Sequence, residues 1–117
     1  MTTKDKFRYP AYDCFYTCQF VTGRYGNGNL ALEMMGAEGT PEYGEPICRV
    51  TVNPGMVIPE DCIAVKDYGE NEGMVDFIVG LDIVEAEPVS FIPSGYVTIP
   101  VLRLTESGKE LFNNNNQ

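Results

Sequence analysis

Short runs of alternating apolar and polar residues, separated by turns, dominate this chain of 117 residues. Between residues 14 and 22 the even positions are cysteine, tyrosine or phenylalanine through Phe20. A period of two predicts a half-buried strand, because successive side chains of a strand point to opposite faces. The segment Tyr25–Asn29 then supplies the Gly and Asn residues of a hairpin turn, and residues 30–34 resume the alternation. The first part of the chain is therefore predicted to be a β-hairpin.

Further strands are predicted over residues 47–53 and 62–66, and a last pair over residues 84–92 and 96–105. Pro88 and Pro100 each lack a backbone donor, so this last pair is expected at a sheet edge or a bulge.

One helix is predicted between the strands. Met74, Phe77, Ile78 and Leu81 are spaced as the apolar stripe of an amphipathic helix. Asp67 with Glu70, or Asn71 alone, is the expected cap of its first turn. Gly73 and Gly80 predict that the helix is short and depends on packing.

Strands in series with a single helix predict an α+β fold, with a curled antiparallel sheet of about six strands. Residues 13–112 are expected to form one domain, since the length suits a single core. Residues 1–12 are predicted to be a flexible arm with a basic start. The asparagine-rich residues 113–117 are predicted to be a disordered polar tail.

The net charge of −9 and the absence of histidine limit the function. Without histidine there is no imidazole base, no Ser-His-Asp triad and no imidazole ligand for zinc. The negative charge argues against direct contact with nucleic acid or an anionic membrane. No leader or membrane span is visible, so we expect a cytoplasmic protein with four reduced thiols. We assign no catalytic residue and no cofactor, and favour a non-enzymatic protein.

Acidic residues concentrate between Glu60 and Glu87, where nine carboxylates accompany one base, Lys66. Such a stretch fits either a solvated face or a contact surface for a basic partner, and charge pairing of this kind can mimic nucleic-acid phosphates. The spacing does not match a calcium loop, so we predict no metal site. The candidate partner contacts are Glu60, Asp61, Asp67, Glu70, Glu72 and Asp76.

An alternative function uses the positive charges. A curled sheet often holds a cavity at its mouth, and an anionic small molecule would need several bases to converge there. A pocket that contains two or more of these bases would favour a ligand-binding domain, or an enzyme that acts on such a ligand. A third alternative is a structural subunit of a homo-oligomer joined through edge strands. The candidate anion-binding residues are Arg24, Arg49, Lys66 and Arg103.

Several short segments in the middle and end of the chain also resemble a family of small uncharacterised bacterial proteins. They are Asn29-Leu30-Ala31-Leu32, Gly44-Glu45-Pro46, Val50-Thr51-Val52-Asn53, Ile63-Ala64-Val65-Lys66-Asp67-Tyr68, Glu70-Asn71-Glu72-Gly73-Met74 and Ser94-Gly95-Tyr96. This domain of unknown function is carried on plasmids, conjugative elements and phages of gut bacteria. The resemblance implies a cytoplasmic accessory protein of a mobile element, and no activity or catalytic residue carries over from it. Together with the net charge of −9 it leads to our main hypothesis, that the protein binds a host or mobile-element protein with a basic surface, and in a sharper form inhibits a nucleic-acid-handling defence enzyme by acidic mimicry.

Overall fold

A computed structural model describes residues 6–11 and 14–114 as seven strands, two α-helices and one 3-10 turn. In chain order the elements are β1 (Phe7–Ala11), β2 (Cys14–Arg24), β3 (Leu30–Gly36), β4 (Pro46–Arg49), β5 (Cys62–Ala64), the 3-10 turn Gly69–Asn71, α1 (Met74–Gly80), β6 (Ser90–Ser94), β7 (Val97–Arg103) and α2 (Glu106–Asn114).

The first sheet is antiparallel, with strand order β1-β2-β3-β4. The predicted alternation is visible in β3, whose Leu30, Leu32 and Met34 are buried while the residues between them are half-buried. The hairpin register pairs Arg24 with Leu30, which leaves Tyr25–Asn29 as the predicted turn. The period of two therefore predicts the buried face of β3. In β2 the predicted alternation does not hold throughout, since Gln19 is as buried as Cys18 and Phe20 on either side of it.

The second sheet has the order β5-β7-β6 and is also antiparallel. Its hairpin turns at Gly95, where φ is +61°, a value that glycine adopts without strain. Pro100 lies in the central strand and not at an edge, contrary to expectation. Its carbonyl accepts from the Val65 N–H at 3.0 Å, one residue beyond the end of the three-residue β5. The N–H and C=O of one strand residue point toward the same neighbouring strand, so the N–H that Pro100 lacks would also point toward β5. Because Val65 lies beyond the end of β5, the missing donor falls at the end of the ladder between β5 and β7.

The two sheets meet at Val50–Val52. On one side Val50 donates to the Leu32 carbonyl at 2.9 Å. On the other side Val52 donates to the Ala64 carbonyl at 3.0 Å, and Thr51 forms an isolated bridge with Val65. The predicted strand 47–53 is therefore split: its first part belongs to one sheet and its last part connects to the other.

Helix α1 covers one face of the first sheet and closes the main core. Met74 and Ile78 are almost fully buried, as their helical spacing predicts. The ring of Phe77 lies 5.1 Å from that of Tyr9 in an edge-to-face arrangement and 6.0 Å from that of Phe7. These contacts attach β1 to the body of the protein.

Helix α2 is an element that the sequence analysis did not predict. The Thr105 hydroxyl caps it by accepting the Gly108 N–H at 3.1 Å. Gly108 is required for close packing, since a β-carbon there would lie 2.1 Å from the Ile83 carbonyl oxygen. Leu111 and Phe112 are buried in the main core. Helix formation here therefore depends on a cap, a glycine contact and two apolar side chains.

The α+β class with antiparallel pairing is confirmed, but the details of the prediction are corrected. Two sheets of four and three strands replace one curled sheet of about six, and there are two α-helices instead of one. Residues 7–11 of the predicted arm form β1, whereas residues 1–5 and 12 lie outside the described residues. Residues 113 and 114 of the predicted tail end α2, and residues 115–117 lie outside the described part. Neither α-helix has the length and apolar character needed to cross a bilayer, within the ranges described.

Candidate functional site

A shallow pocket of about 250 Å³ opens where β1, β4 and the 3-10 turn meet. Its lining combines apolar and charged side chains. The pocket contains two of the four bases that the sequence analysis named for an anionic ligand. Its lining consists of Tyr9, Ala11, Ile47, Cys48, Arg49, Lys66, Glu70 and Asn71.

Asn71 fixes the turn that forms one side of this pocket. Its side chain is almost fully buried, and its amide nitrogen donates to the Arg49 carbonyl at 2.7 Å. Its amide oxygen lies 3.3 Å from the Cys48 sulfur and accepts from that thiol. Buried polar groups need such partners, because an unpaired one costs about 1–3 kcal/mol. Asn71 thereby connects the turn Gly69–Asn71 to strand β4.

Cys48 is held as a thiol rather than a thiolate. Burial raises the pKa of Cys48, although its contacts with Tyr9 and Asn71 act in the opposite direction. The Cys48 sulfur lies 3.8 Å from the Tyr9 hydroxyl oxygen. Since the thiolate is the nucleophilic form, this cysteine contributes shape and a weak donor to the pocket at neutral pH.

Lys66 brings one positive charge to the pocket. Its ammonium group donates to the Glu70 carboxylate, and it lies 5.6 Å from the centre of the Tyr68 ring. The hydrogen bond to Glu70 raises the pKa of Lys66, and the same bond lowers the pKa of Glu70. An ammonium group has three donors, and Glu70 occupies one of them in the part of the chain that is described.

Arg49 brings the second positive charge. Its guanidinium lies 3.7 Å from the Glu33 carboxylate, which is an ion pair but too long for a hydrogen bond. The Arg49 side chain is 60% exposed, so it can turn toward a ligand at low cost. Arg49 also lines a second shallow cleft, of about 320 Å³, together with Arg24.

The other two predicted bases are bound to acids elsewhere. Arg24 pairs with Glu60 at 3.1 Å and donates to the Gly28 carbonyl at 2.8 Å. Arg103 pairs with Asp61 at 2.6 Å, and the pKa of Asp61 is lowered by that hydrogen bond. Arg49 and Lys66 therefore meet in one pocket, whereas Arg103 is not among the lining residues of either cleft.

The six acids named as partner contacts do not form one uniform surface. Three of them form ion pairs: Glu60 with Arg24, Asp61 with Arg103, and Glu70 with Lys66. Asp67 accepts the Val75 N–H at 3.2 Å, which satisfies a donor at the start of α1. Glu72 and Asp76 are exposed, and neither forms an ion pair within residues 6–11 and 14–114.

Sequence reasoning missed Tyr9, Cys48 and Asn71 as pocket residues. Tyr9 was assigned to the arm and Asn71 to a helix cap, although Asn71 bonds to β4 instead. A usable signal was the turn Gly69–Asn71 itself, because a buried asparagine in a glycine-containing turn commonly bonds to backbone.

The fold and the pocket define an α+β protein with a small cleft that combines two bases, one acid and apolar surface. No three side chains of histidine, cysteine, aspartate or glutamate gather in a way that fits a metal ion, among the residues described. Comparison with family models, with curated proteins and with solved structures gives no significant match. The resemblance noted from the sequence therefore stays a prediction.

Proposed function

We propose that the protein binds a small molecule with an oxyanion group and a short apolar body in the pocket beside Asn71. The observation that carries this proposal is the shared placement of Arg49 and Lys66 in one concave pocket. Guanidinium and ammonium groups are the usual partners of carboxylate and phosphate oxygens. Convergence of two bases was also the criterion that the sequence analysis set for this class.

The charge of the pocket differs from that of the chain. The protein carries −9 overall, whereas the pocket lining has two bases and one acid. Charges beyond about 8 Å are largely screened at physiological ionic strength. A bound anion therefore experiences mainly Arg49 and Lys66 with their acid partners, Glu33 at 3.7 Å from the Arg49 guanidinium and Glu70 beside Lys66. The distant acids mainly slow its approach.

The rest of the lining sets the size and polarity of the ligand. Ala11, Ile47 and the ring of Tyr9 add apolar surface to the same pocket as the bases. A volume of about 250 Å³ is slightly below the range of roughly 300–1,000 Å³ found for drug-sized ligands. We therefore expect a compact ligand, such as a small aromatic or branched carboxylate or a short phosphate ester.

Binding is proposed without catalysis. The thiol of Cys48 stays protonated because burial raises its pKa, and Lys66 is kept in its charged form by Glu70. Neither group is prepared as a nucleophile or as a general base near neutral pH.

Titration calorimetry at constant ionic strength tests the proposal, with inorganic phosphate and benzoate as probes. Both anions should bind, and Lys66→Met or Arg49→Met should weaken binding by about tenfold, the value of one charge-assisted hydrogen bond. Arg103→Met is the matched control, since Arg103 lies outside the lining and should leave the affinity unchanged. Equal losses in all three variants would mean that only overall charge matters, and the proposal would fail.

Removal of the negative charge of Glu70 should strengthen anion binding rather than weaken it. Glu70 occupies a donor of Lys66 and adds negative charge to the pocket, so Glu70→Gln should tighten phosphate binding severalfold. Glu72→Gln removes the same charge from an exposed residue two positions away, and should have a much smaller effect. Unchanged affinity in Glu70→Gln would contradict the role given to Lys66.

The main hypothesis from the sequence, a mobile-element accessory protein whose acidic stretch binds a basic partner, stays a prediction. Glu72 and Asp76 are the acids most available for such a contact. Joint charge reversal of these two residues should abolish binding of that partner in a pulldown at physiological salt, and full retention would exclude this surface.

The homo-oligomer alternative receives less support from the sheet edges. Pro10, Pro46 and Pro93 lie in the edge strands β1, β4 and β6, and the remaining edge strand, β5, has three residues. Proline and short length both hinder the pairing of an edge strand with another chain.

A further inference from the structure

Strand β6 presents an apolar strip to solvent. Phe91 and Pro93 are alternate residues of β6, so they share one face of the strand, and Val89 lies in the bend just before it. All three are exposed. Phe91 is 60% exposed although it lies opposite the buried Pro100 of β7. Tyr96 is fully exposed in the turn that follows. Large aromatic residues without cover at a sheet edge are typical of binding surfaces.

The strip lies at the outer edge of the second sheet, and its chemistry limits how a partner binds. Pro93 has no backbone N–H, so a partner strand cannot form an unbroken ladder with β6. Side-chain contact with Phe91 and Tyr96 would therefore supply most of the affinity. Aromatic residues are among the groups that dominate interface energies.

The surroundings of the strip are negative. Glu85 and Glu87 are exposed, and Glu87 lies two residues before Val89, at most about 7 Å along the chain. No lysine or arginine occurs between Lys66 and Arg103 in the sequence. Arg103 itself is bound to Asp61 at 2.6 Å. Glu85 lies near Arg103 in space, since its N–H donates to the Arg103 carbonyl at 2.9 Å. An occupant of this strip therefore meets apolar side chains flanked by two carboxylates, neither of which forms an ion pair within residues 6–11 and 14–114.

We propose that this strip, formed by Val89, Phe91, Pro93 and Tyr96 with Glu85 and Glu87 beside it, docks an extended segment of a partner protein in which apolar and basic residues alternate. Charge complementarity selects this occupant. A second copy of the chain would bring another net charge of −9, and nucleic acid or an anionic bilayer would also be repelled. None of these residues lines the pocket beside Asn71, so the proposal is independent of anion binding.

The test uses a short synthetic peptide that alternates lysine with valine and phenylalanine, added to the isotope-labelled full chain. Amide shift changes should cluster at Glu85–Tyr96, and a matched peptide with glutamate in place of lysine should give none. Phe91→Ser with Tyr96→Ser should weaken binding by about tenfold or more. Both side chains are exposed, and circular dichroism would verify that the variant remains folded.

A second pair of variants separates charge from folding. Glu85→Gln with Glu87→Gln leaves the apolar strip intact, and should weaken the lysine peptide severalfold with a loss that shrinks at high salt. Glu72→Gln with Asp76→Gln is the control of equal charge and should have a much smaller effect. The proposal is overturned if the glutamate peptide binds equally well or the shifts centre on α1. Dimers in light scattering would show that a second copy of the chain occupies the strip, and binding to vesicles of anionic lipid would show that a membrane does. Either result would overturn the proposed partner.

Discussion

Two buried asparagines fix two different regions of the molecule. Asn29 donates its amide to the Met56 carbonyl at 2.8 Å and to the Asn53 side chain at 3.3 Å, and it accepts the Ile58 N–H at 3.0 Å. These bonds hold the loop whose Ile58 belongs to a second, smaller hydrophobic cluster, formed with Cys62, Ala64, Ile99 and Val101. Asn71 instead makes one backbone bond and one thiol contact, and both lie at the edge of the pocket.

The same residue type therefore has two roles: Asn29 stabilises the fold, and Asn71 shapes the pocket. Around Asn29 each bond ties the loop of residues 53–58 to the turn of the first hairpin, and Ile58 in this loop is buried among apolar residues. Around Asn71 the bonded groups belong to Cys48 and Arg49, which face the pocket. We infer that loss of Asn29 lowers stability without changing specificity, whereas loss of Asn71 alters the pocket.

The largest effect is expected for Asn29→Ala. The substitution leaves the Ile58 N–H and the Met56 carbonyl without their partner, which should lower the free energy of unfolding by about 2–4 kcal/mol. Urea unfolding measures this loss. Asn27→Ala is the control from the same turn. The Asn27 side chain donates to Asn53 at 3.1 Å and accepts the Asn29 N–H at 3.2 Å, but it is exposed, so its loss should cost less than about 1 kcal/mol. Phosphate affinity of the folded protein should not change, and a change there would remove the distinction between the two regions.

A smaller effect on stability and a larger one on binding are expected for Asn71→Ala. Two contacts are lost, so about 1–3 kcal/mol of stability should disappear. Since the turn beside Lys66 is no longer held, phosphate affinity should also fall severalfold in calorimetry. Glu72→Ala alters the exposed neighbouring residue and serves as the control. If Asn71→Ala reduced stability alone, Asn71 would be a scaffold residue like Asn29.

The reactivity of the cysteine thiols should also distinguish the region around Asn29 from the region around Asn71. Cys62 is fully buried in the smaller cluster, and Cys48 is half-buried in the pocket. With iodoacetamide, Cys48 should react about tenfold faster in Asn71→Ala than in the unaltered chain. Cys62 should react about tenfold faster in Asn29→Ala. In each case the lost hydrogen bonds make local opening around that thiol more frequent. Mass spectrometry of the labelled peptides measures both rates, with the exposed Cys14 as the internal reference. Acceleration of both thiols in both variants would indicate a single cooperative unit instead.

The smallest effect is a pH dependence of stability. Burial raises the pKa of Cys62 from 9.0 to about 11, and burial raises that of Cys18 equally. The folded state holds these protons more tightly than the unfolded state, so stability is fully present below pH 9.0 and falls as pH rises toward 11. Unfolding in urea across this range should show a shallower decline for Cys62→Val than for the unaltered chain. If the free energy of unfolding of Cys62→Val declined just as steeply with pH, burial of the Cys62 thiol would not be the cause of the pH dependence.

Much of the fold was predictable because local signals agreed with it. The alternation and turn at residues 14–34 gave β2 and β3, and the apolar stripe gave α1. Strand β1 was missed because Arg8 and Pro10 suit a loose arm, yet an edge strand tolerates proline. Helix α2 was missed because Gly108 lowers helix propensity, and its requirement for this residue comes from a contact with Ile83.

The candidate site was predictable only in part. Arg49 and Lys66 were named because they are bases on predicted strands, which is local information. Asn71 and Tyr9 were not, since their contacts join residues 22 and 39 positions apart. Long-range pairs of this kind depend on how the sheets and helices pack, and no local pattern encodes that packing.

The central claim, that the pocket beside Asn71 receives a small oxyanion, is tested most directly by a residue-specific map of binding. Inorganic phosphate, and separately benzoate, would be titrated into labelled protein at fixed ionic strength while amide shifts are followed. Saturable changes should centre on Tyr9, Arg49, Lys66 and Asn71, with little change at Asn29 or Arg103. Changes that do not saturate, or that centre on Arg24 or Arg103, would contradict the assignment of this pocket as the ligand site.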